Sequence, residues 1–264
     1  MDKKVSVICI DCDSNEIDKE LMNQTYLNLE VVETETGKDF FDDISDYINN
    51  TDSEYISFLE PGNHYMPDKI KNMVSYLEKN PSVGVMFCGR NHINENGTIL
   101  AHPDKAYIDD LHENLFLGDQ IINACLRMGN NLFGNLSCIL LRKRKARVDK
   151  EILGKYTKYG SCMQKMILLF QFMIGESVKI EPAELVENEV EEYDAALLGK
   201  QIGQFENVIL KFLDDNGIVC DYEVKGISDE NYESYKGDET IYGGIKKKLH
   251  YFIRIKGNIT IFCR

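Results

Sequence analysis

Several groups of side chains in this sequence have types and spacings suited to chemistry. Glu60-Pro61-Gly62-Asn63 sets a carboxylate and an amide oxygen around two strong turn formers, and His64 follows. Oxygen donors gathered on a turn suit a hard divalent cation, with the histidine as a replacement ligand. The same residues also read as an ordinary β-turn beside a surface histidine. Arg142-Lys143-Arg144-Lys145, with Arg147 close behind, is a basic cluster in an acidic chain. Arg142 and Arg144 suit phosphate contact, or the cluster is a solvated turn. Cys9-x-x-Cys12 has the spacing of a redox pair or half a zinc site, yet Cys9 falls inside an apolar run and no second pair accompanies it. Packing is therefore its expected role. The segment 244–264 interleaves Lys246, Lys247, Lys248, Arg254 and Lys256 with Leu249, Tyr251, Phe252, Ile253 and Ile255. Such a segment can lie on an anionic membrane surface, each basic residue contributing about 1 kcal/mol, or it can pack back on the domain.

The elements that must position these groups follow from periodicity. Tyr55–Leu59 reads as a strand buried on both faces. It breaks at the Glu60–Asn63 tip, and a helix over Asp68–Lys79 carries Ile70, Met73, Val74 and Leu77 at helical spacing before Pro81. Residues 5–10 form a second buried strand, followed by a helix to Met22 with Ser14 or Asn15 as N-cap. Glu30–Glu33 is a short strand. Phe40, Phe41, Ile44, Tyr47 and Ile48 mark an amphipathic helix. Val83–Cys88 and Asn135–Arg142 read as strands, residues 107–128 as helical, Gln164–Ile174 as a buried helix, Val178–Ile180 as a short strand and Ala195–Leu213 as a helix. Strands alternating with helices predict an α/β fold with a mostly parallel sheet flanked by helices. In such sheets ligands bind at the carboxyl ends of the strands. The expected division is one domain over 1–194 and a C-terminal helix with a basic, aromatic extension over 195–264.

Composition narrows the function. The chain has 264 residues, a formal charge of −14 and 43% hydrophobic residues, enough for a real core. The charge argues against nucleic acid as a partner and would repel a nucleotide unless a cation intervened. Eight cysteines without paired spacings predict reduced thiols and a cytoplasmic protein. The start MDKKVSVICID has no signal-peptide pattern, and no run of 18 apolar residues occurs, so no spanning segment is expected.

The stretch Tyr55–Ile70, with its strand, acidic tip and Pro67-Asp68-Lys69-Ile70 helix start, resembles the metal-binding segment of family 2 glycosyltransferases of the GT-A fold. Three further pieces resemble that family in order: Val5-Ser6-Val7-Ile8, Gln24–Val32 (QTYLNLEVV), and Asn80-Pro81-Ser82-Val83-Gly84-Val85 with the later Asn94-Glu95-Asn96-Gly97 turn. The likeness spans roughly residues 4–190. It implies transfer of a sugar from a nucleotide donor, probably UDP-linked in the family's manner, to a glycan, lipid-linked or protein acceptor. It implies Mn²⁺ or Mg²⁺ held at Glu60 and Asn63, and a nucleoside held at Asp11, Asp13, Glu33 and Glu35. His64, Gly134 (in a loop Gly129–Gly134), Arg142 and Arg144 would face the acceptor or the phosphates.

The chain also departs from that pattern. Gly62 stands where the second metal-binding Asp is expected, so the site should hold metal less tightly. Ile10 replaces a usual Pro, and Glu33 replaces an Asp. The donor-binding half between Gly37 and Tyr55 is short and lacks an Arg. The catalytic base expected near Ser161 is missing from Tyr159-Gly160-Ser161-Cys162-Met163-Gln164, and loss of a general base typically costs about 10²–10⁴ in rate. Three readings follow: a transferase, a transferase-derived binding or partner subunit without turnover, and a metal-independent transferase in which Arg142 or Arg144 replaces the cation.

Overall fold

The computed structural model describes residues 2–34, 40–100, 115–128, 135–156, 158, 161–189 and 208–218. The chain runs β1 (Val5–Cys9), α1 (Ser14–Met22), β2 (Leu29–Glu33), α2 (Phe40–Asn50), β3 (Tyr55–Leu59), β4 (Asn63–Tyr65), α3 (Lys69–Lys79), β5 (Val83–Ile93), β6 (Ile99–Leu100), β7 (Leu115–Leu117) and α4 (Gly118–Met128). A 3-10 turn (Leu136–Cys138) leads into β8 (Ile139–Arg142), then α5 (Lys150–Gly154), α6 (Ser161–Met173) and β9 (Ser177–Glu189). A last helix, α7, spans 208–215.

One sheet takes the order β2-β1-β3-β8-β5-β9-β4, with β6 added to β5 and β7 added to β9. Strands β1, β2, β3, β5 and β9 share one direction, while β8 and β4 run against them. The α/β architecture expected from the alternation of elements is therefore present. β1 and β3 are buried along their whole length, as strands covered on both faces must be. Side chains alternate between the two faces. Val5, Val7, Cys9, Tyr55 and Leu59 meet Ile17 and Leu21 of α1 and Ile70, Met73 and Leu77 of α3. Ile8, Ile10, Ile56 and Phe58 meet the helices of the other face, α2, α4, α5, α6 and α7.

Several boundaries differ from expectation. Asp13, not Ser14 or Asn15, caps α1, its carboxylate accepting the Asn15 N–H at 2.8 Å. Leu115–Leu117, expected in a helix, is a strand paired with β9. Gly118 ends it where a Cβ would lie 1.9 Å from the Met173 carbonyl oxygen, so only glycine allows this approach. β5 and β9 are longer than their apolar runs, and the three-residue β4 was not anticipated. The expected helix over Ala195–Leu213 is described only from 208, where Val208, Ile209, Phe212 and Leu213 are buried in the core. The extension beyond 218 and the loop 129–134 lie outside the described residues.

Candidate site at the carboxyl ends of the strands

The register of the sheet assembles the site. Cys9 stands opposite both Glu33 on β2 and Leu59 on β3. Glu33 and Leu59 are thus about 10 Å apart across one strand, and the residues that follow emerge at one edge. Asp11 is exposed there in a left-handed conformation, φ 53°, with its N–H on the Thr34 hydroxyl at 3.3 Å. The Glu33 side chain is exposed, and its carbonyl accepts the Tyr47 hydroxyl at 2.8 Å. Asp11 and Glu33 are therefore brought to a shared tip. Asp13 is spent on the α1 cap, and Glu35 lies outside the described residues.

Glu60 ends β3 on the face that packs against α6. Its carboxylate is buried. One oxygen accepts the Leu136 N–H at 2.7 Å, and the other lies 2.7 Å from Lys165 Nζ. Its backbone N–H is taken by the Ser137 hydroxyl at 2.9 Å. Gly62 follows at φ 68°, a conformation that disfavours a side chain. Asn63 is buried, its amide N–H groups directed to the carbonyls of Glu60 and Pro61 and its oxygen accepting Asn135 Nδ2 at 2.5 Å.

Whether Mn²⁺ or Mg²⁺ fits is decided by these partners. The Glu60 oxygens are engaged by an ammonium and an amide, Gly62 supplies no donor, and the Asn63 oxygen is engaged by Asn135. Among the described residues, no three His, Cys, Asp or Glu side chains are grouped to hold a metal ion. Mg²⁺ is commonly held by one or two carboxylates, with waters and substrate phosphates completing its shell, and as arranged here the oxygens of Glu60 and Asn63 are engaged by protein partners. A metal at Glu60 and Asn63 would have to displace these partners.

His64 lies on β4 with Nδ1 2.9 Å from Glu20 of α1 and Nε2 3.0 Å from Glu189 of β9. Burial opposes its charge, yet the bonds to Glu20 and Glu189 prevail and raise it above the usual histidine value. It braces the edge of the sheet. Arg142 and Arg144 are corrected. β8 runs antiparallel to β3, with Arg142 opposite Tyr55, the first residue of β3. Arg142 donates to the Val83 carbonyl at 2.9 Å, the Tyr55 hydroxyl at 2.9 Å and the Leu77 carbonyl. Arg144 reaches the Pro81 carbonyl at 3.3 Å. Both lie at the amino edge, as does a hollow of ≈ 300 Å³ lined by Asp2, Lys3, Tyr26 and Glu78 among others.

Lys165 of α6 completes the surroundings of Glu60. Phe58 stacks on Phe172, centroids 5.8 Å apart, while Glu60, two residues further along β3, meets Lys165, two turns earlier on α6. The helix thus runs against the strand, and its N-terminus, opened by Ser161, faces the carboxyl edge. The signal in the sequence was a single charge inside a run whose neighbours Met163 and Met166–Met173 are buried or nearly so; such a charge normally has a partner.

No family model matches the sequence, and no curated protein does. Solved structures of S. aureus TarS are similar in overall chain path. TarS 1–349 in complex with UDP-GlcNAc gives a TM-score of 0.47 at 10% identity, covering 95% of this chain and 82% of that one. TarS 1–349 with UDP gives 0.46 at 10% identity over 95% and 83%. A further TarS structure gives 0.46 at 11% identity over 94% and 48%.

Proposed function

We propose that this protein is a glycosyltransferase of GT-A type that takes a nucleotide sugar at the carboxyl edge of its sheet. The observation that carries this reading is that Asp11, Glu33 and Glu60 stand at the carboxyl ends of the adjacent parallel strands β1, β2 and β3. Exposed carboxylates at Asp11 and Glu33 suit the N–H and hydroxyl donors of a nucleobase and ribose, at charge-assisted strength. The buried tip at Glu60, with the start of α6 beside it, suits the diphosphate end. The acceptor is a glycan, a lipid-linked sugar or a protein. The basic, aromatic segment 244–264 would hold the enzyme peripherally at the inner face of a membrane, where lipid-linked acceptors lie. Among the described residues no helix is long and apolar enough to cross a membrane, and Cys9, Cys12, Cys88, Cys125 and Cys138 are free thiols.

A second reading has an observation of its own. The start of α6 carries Ser161 where a general base is expected, and Glu60 is already occupied by Lys165 and Leu136. A nucleotide-sugar-binding partner subunit without turnover would tolerate both. Calorimetric titration with UDP and a panel of UDP-sugars tests the shared claim: micromolar binding weakened about tenfold by Glu33→Gln is expected, and silence across the panel defeats it. Release of UDP from a bound donor in the presence of mixed acceptors then separates transferase from subunit.

A further inference from the structure

Several lysines of this acidic chain are neutralised by carboxylates: Lys4 by Glu30, Lys145 by Glu176, Lys150 by Asp42 and Lys211 by Asp215. Arg90 differs. It is half-buried in the second half of β5, and its Nε–H is donated to Nε2 of His92 at 3.1 Å. Among the described residues no carboxylate pairs with it, and the N–H groups of its two terminal nitrogens have no partner. His92 is buried, and burial brings its pKa down to about 4, with the Arg90 charge acting the same way. The imidazole is therefore neutral at physiological pH. It holds the guanidinium without cancelling its charge.

Register places Arg90 at the ligand edge. Through β8, Ser57 of β3 stands level with Met86 of β5, and the two strands run in the same direction. Arg90 is therefore level with Pro61 at the tip of β3, two strand spacings or about 10 Å across the sheet. β8 does not reach that level, because its first residue, Ile139, faces Phe87. The turn Leu136–Cys138 stands there instead. The Cys138 thiol is drawn down chiefly by Cys88, and the nearby Arg90 charge adds to this. The guanidinium thus lies beside the turn that fixes Glu60.

We infer that Arg90 is an anion contact of this protein's ligand, its two terminal nitrogens taking oxygens of a phosphate or carboxylate at the carboxyl edge of the sheet. This rests on the nucleotide-sugar reading above for the edge at which the ligand lies. A guanidinium fork matches such groups bidentately, and a chain of net charge −14 requires a local cation before it can accept a polyanion. β3 and β8 separate β5 from β1, which puts Arg90 about 14 Å from the strand end that carries Asp11. The anionic group it takes is therefore remote from the nucleoside: the donor's diphosphate, or an acid on its sugar.

The test is calorimetric titration of UDP, UDP-glucose, UDP-glucuronate and inorganic pyrophosphate. The proteins are wild type, Arg90→Gln, Arg90→Lys and, as a control at the opposite edge, Arg144→Ala, with folding checked by circular dichroism. Wild type is expected to bind at least one nucleotide. Arg90→Gln should weaken that binding about tenfold to a hundredfold, and Arg144→Ala should leave it unchanged. Equal weakening of all three nucleotides assigns the guanidinium to the diphosphate, and weakening confined to UDP-glucuronate assigns it to an acid on the sugar. Should Arg90→Gln fail to fold, Arg90→Lys keeps the charge, loses the fork and should weaken binding about threefold to tenfold. Nucleotide binding that neither Arg90 variant weakens overturns this inference and leaves the nucleotide reading intact. Pyrophosphate binding that Arg90→Gln weakens, with no nucleotide bound, overturns the nucleotide reading and keeps the anion contact. No binding of any probe overturns both.

Discussion

Lys69 sits wholly inside the protein, its ammonium 3.0 Å from the Ser57 hydroxyl and 3.7 Å from the centre of the Tyr65 ring. Burial brings its pKa down from 10.5 to about 8. The unfolded chain keeps that proton to higher pH, so between about 8 and 10.5 the unfolded state binds more protons and stability rises with pH. Below 8 the cost of the buried charge is present in full. Lys69→Met, which keeps the length and removes the charge, should therefore gain about 1–3 kcal/mol at pH 7 and lose the rise between pH 8 and 10.5. Urea unfolding at pH 7, 8.5 and 10 measures both; a loss at pH 7 would show that the hydroxyl and ring contacts outweigh the charge. Gly62 makes a related point at the site. Its φ of 68° favours a residue without Cβ in the turn that delivers Asn63 into β4, although Asp tolerates this region better than most residues, as Asp11 does at 53°. Gly62→Asp is accordingly expected to cost up to about 1 kcal/mol and to create no Mn²⁺ binding, checked by electron paramagnetic resonance of Mn²⁺ titrated into the variant. Signal from bound Mn²⁺ would mean that Glu60 leaves Lys165 readily.

Among the elements, β4 depends most on a titrating contact, because three residues cannot hold a sheet edge unaided. Its His64 bridges Glu20 of α1 and Glu189 of β9, with Lys19 nearby opposing the charge. A raised histidine contributes stability that is complete below its unfolded value of about 6.5 and is lost as pH rises through its folded value. His64→Gln should be less stable than wild type by about 1 kcal/mol at pH 6, with the gap closing toward pH 8; thermal melts across that range follow it, and a gap that does not change with pH would assign His64 a purely steric role. Direction, more than existence, is what the sequence concealed about such elements. Tyr55–Leu59, the α3 periodicity and the Phe40–Ile48 stripe are local patterns and were legible. Ile139–Arg142 reads identically whether it runs with β3 or against it, and the antiparallel choice carries Arg142 to the wrong edge for a ligand. β4 is too short to announce itself, and Leu-Phe-Leu before Gly118 fits helix and strand alike. Of the site, the acidic strand ends were legible because each closes an apolar run, whereas the Glu60–Lys165 pair joins residues far apart in sequence and leaves only the lone charge on α6 as a trace.

For the molecule as a whole, the sheet divides the interior into two apolar layers, and the layer that backs Glu60 is completed from far along the chain. Phe212 of α7 packs on Phe170 of α6, centroids 5.6 Å apart, and on Tyr156 at 6.1 Å. The Tyr156 hydroxyl donates to Asp215 at 2.9 Å, and Lys211 pairs with the same carboxylate. α6 carries both Lys165 and the face that receives α7, so the helix that aims the ammonium is itself held from behind. If α7 belongs to the same cooperative unit, Phe212→Ala should cost about 3–5 kcal/mol and lower the denaturant midpoint of a single transition without changing its slope. Circular dichroism and tyrosine fluorescence would then move together. An early partial transition seen by one probe alone would instead make α7 a separately melting cover, leaving the α6 face, and the aim of Lys165, to be set by the sheet without it.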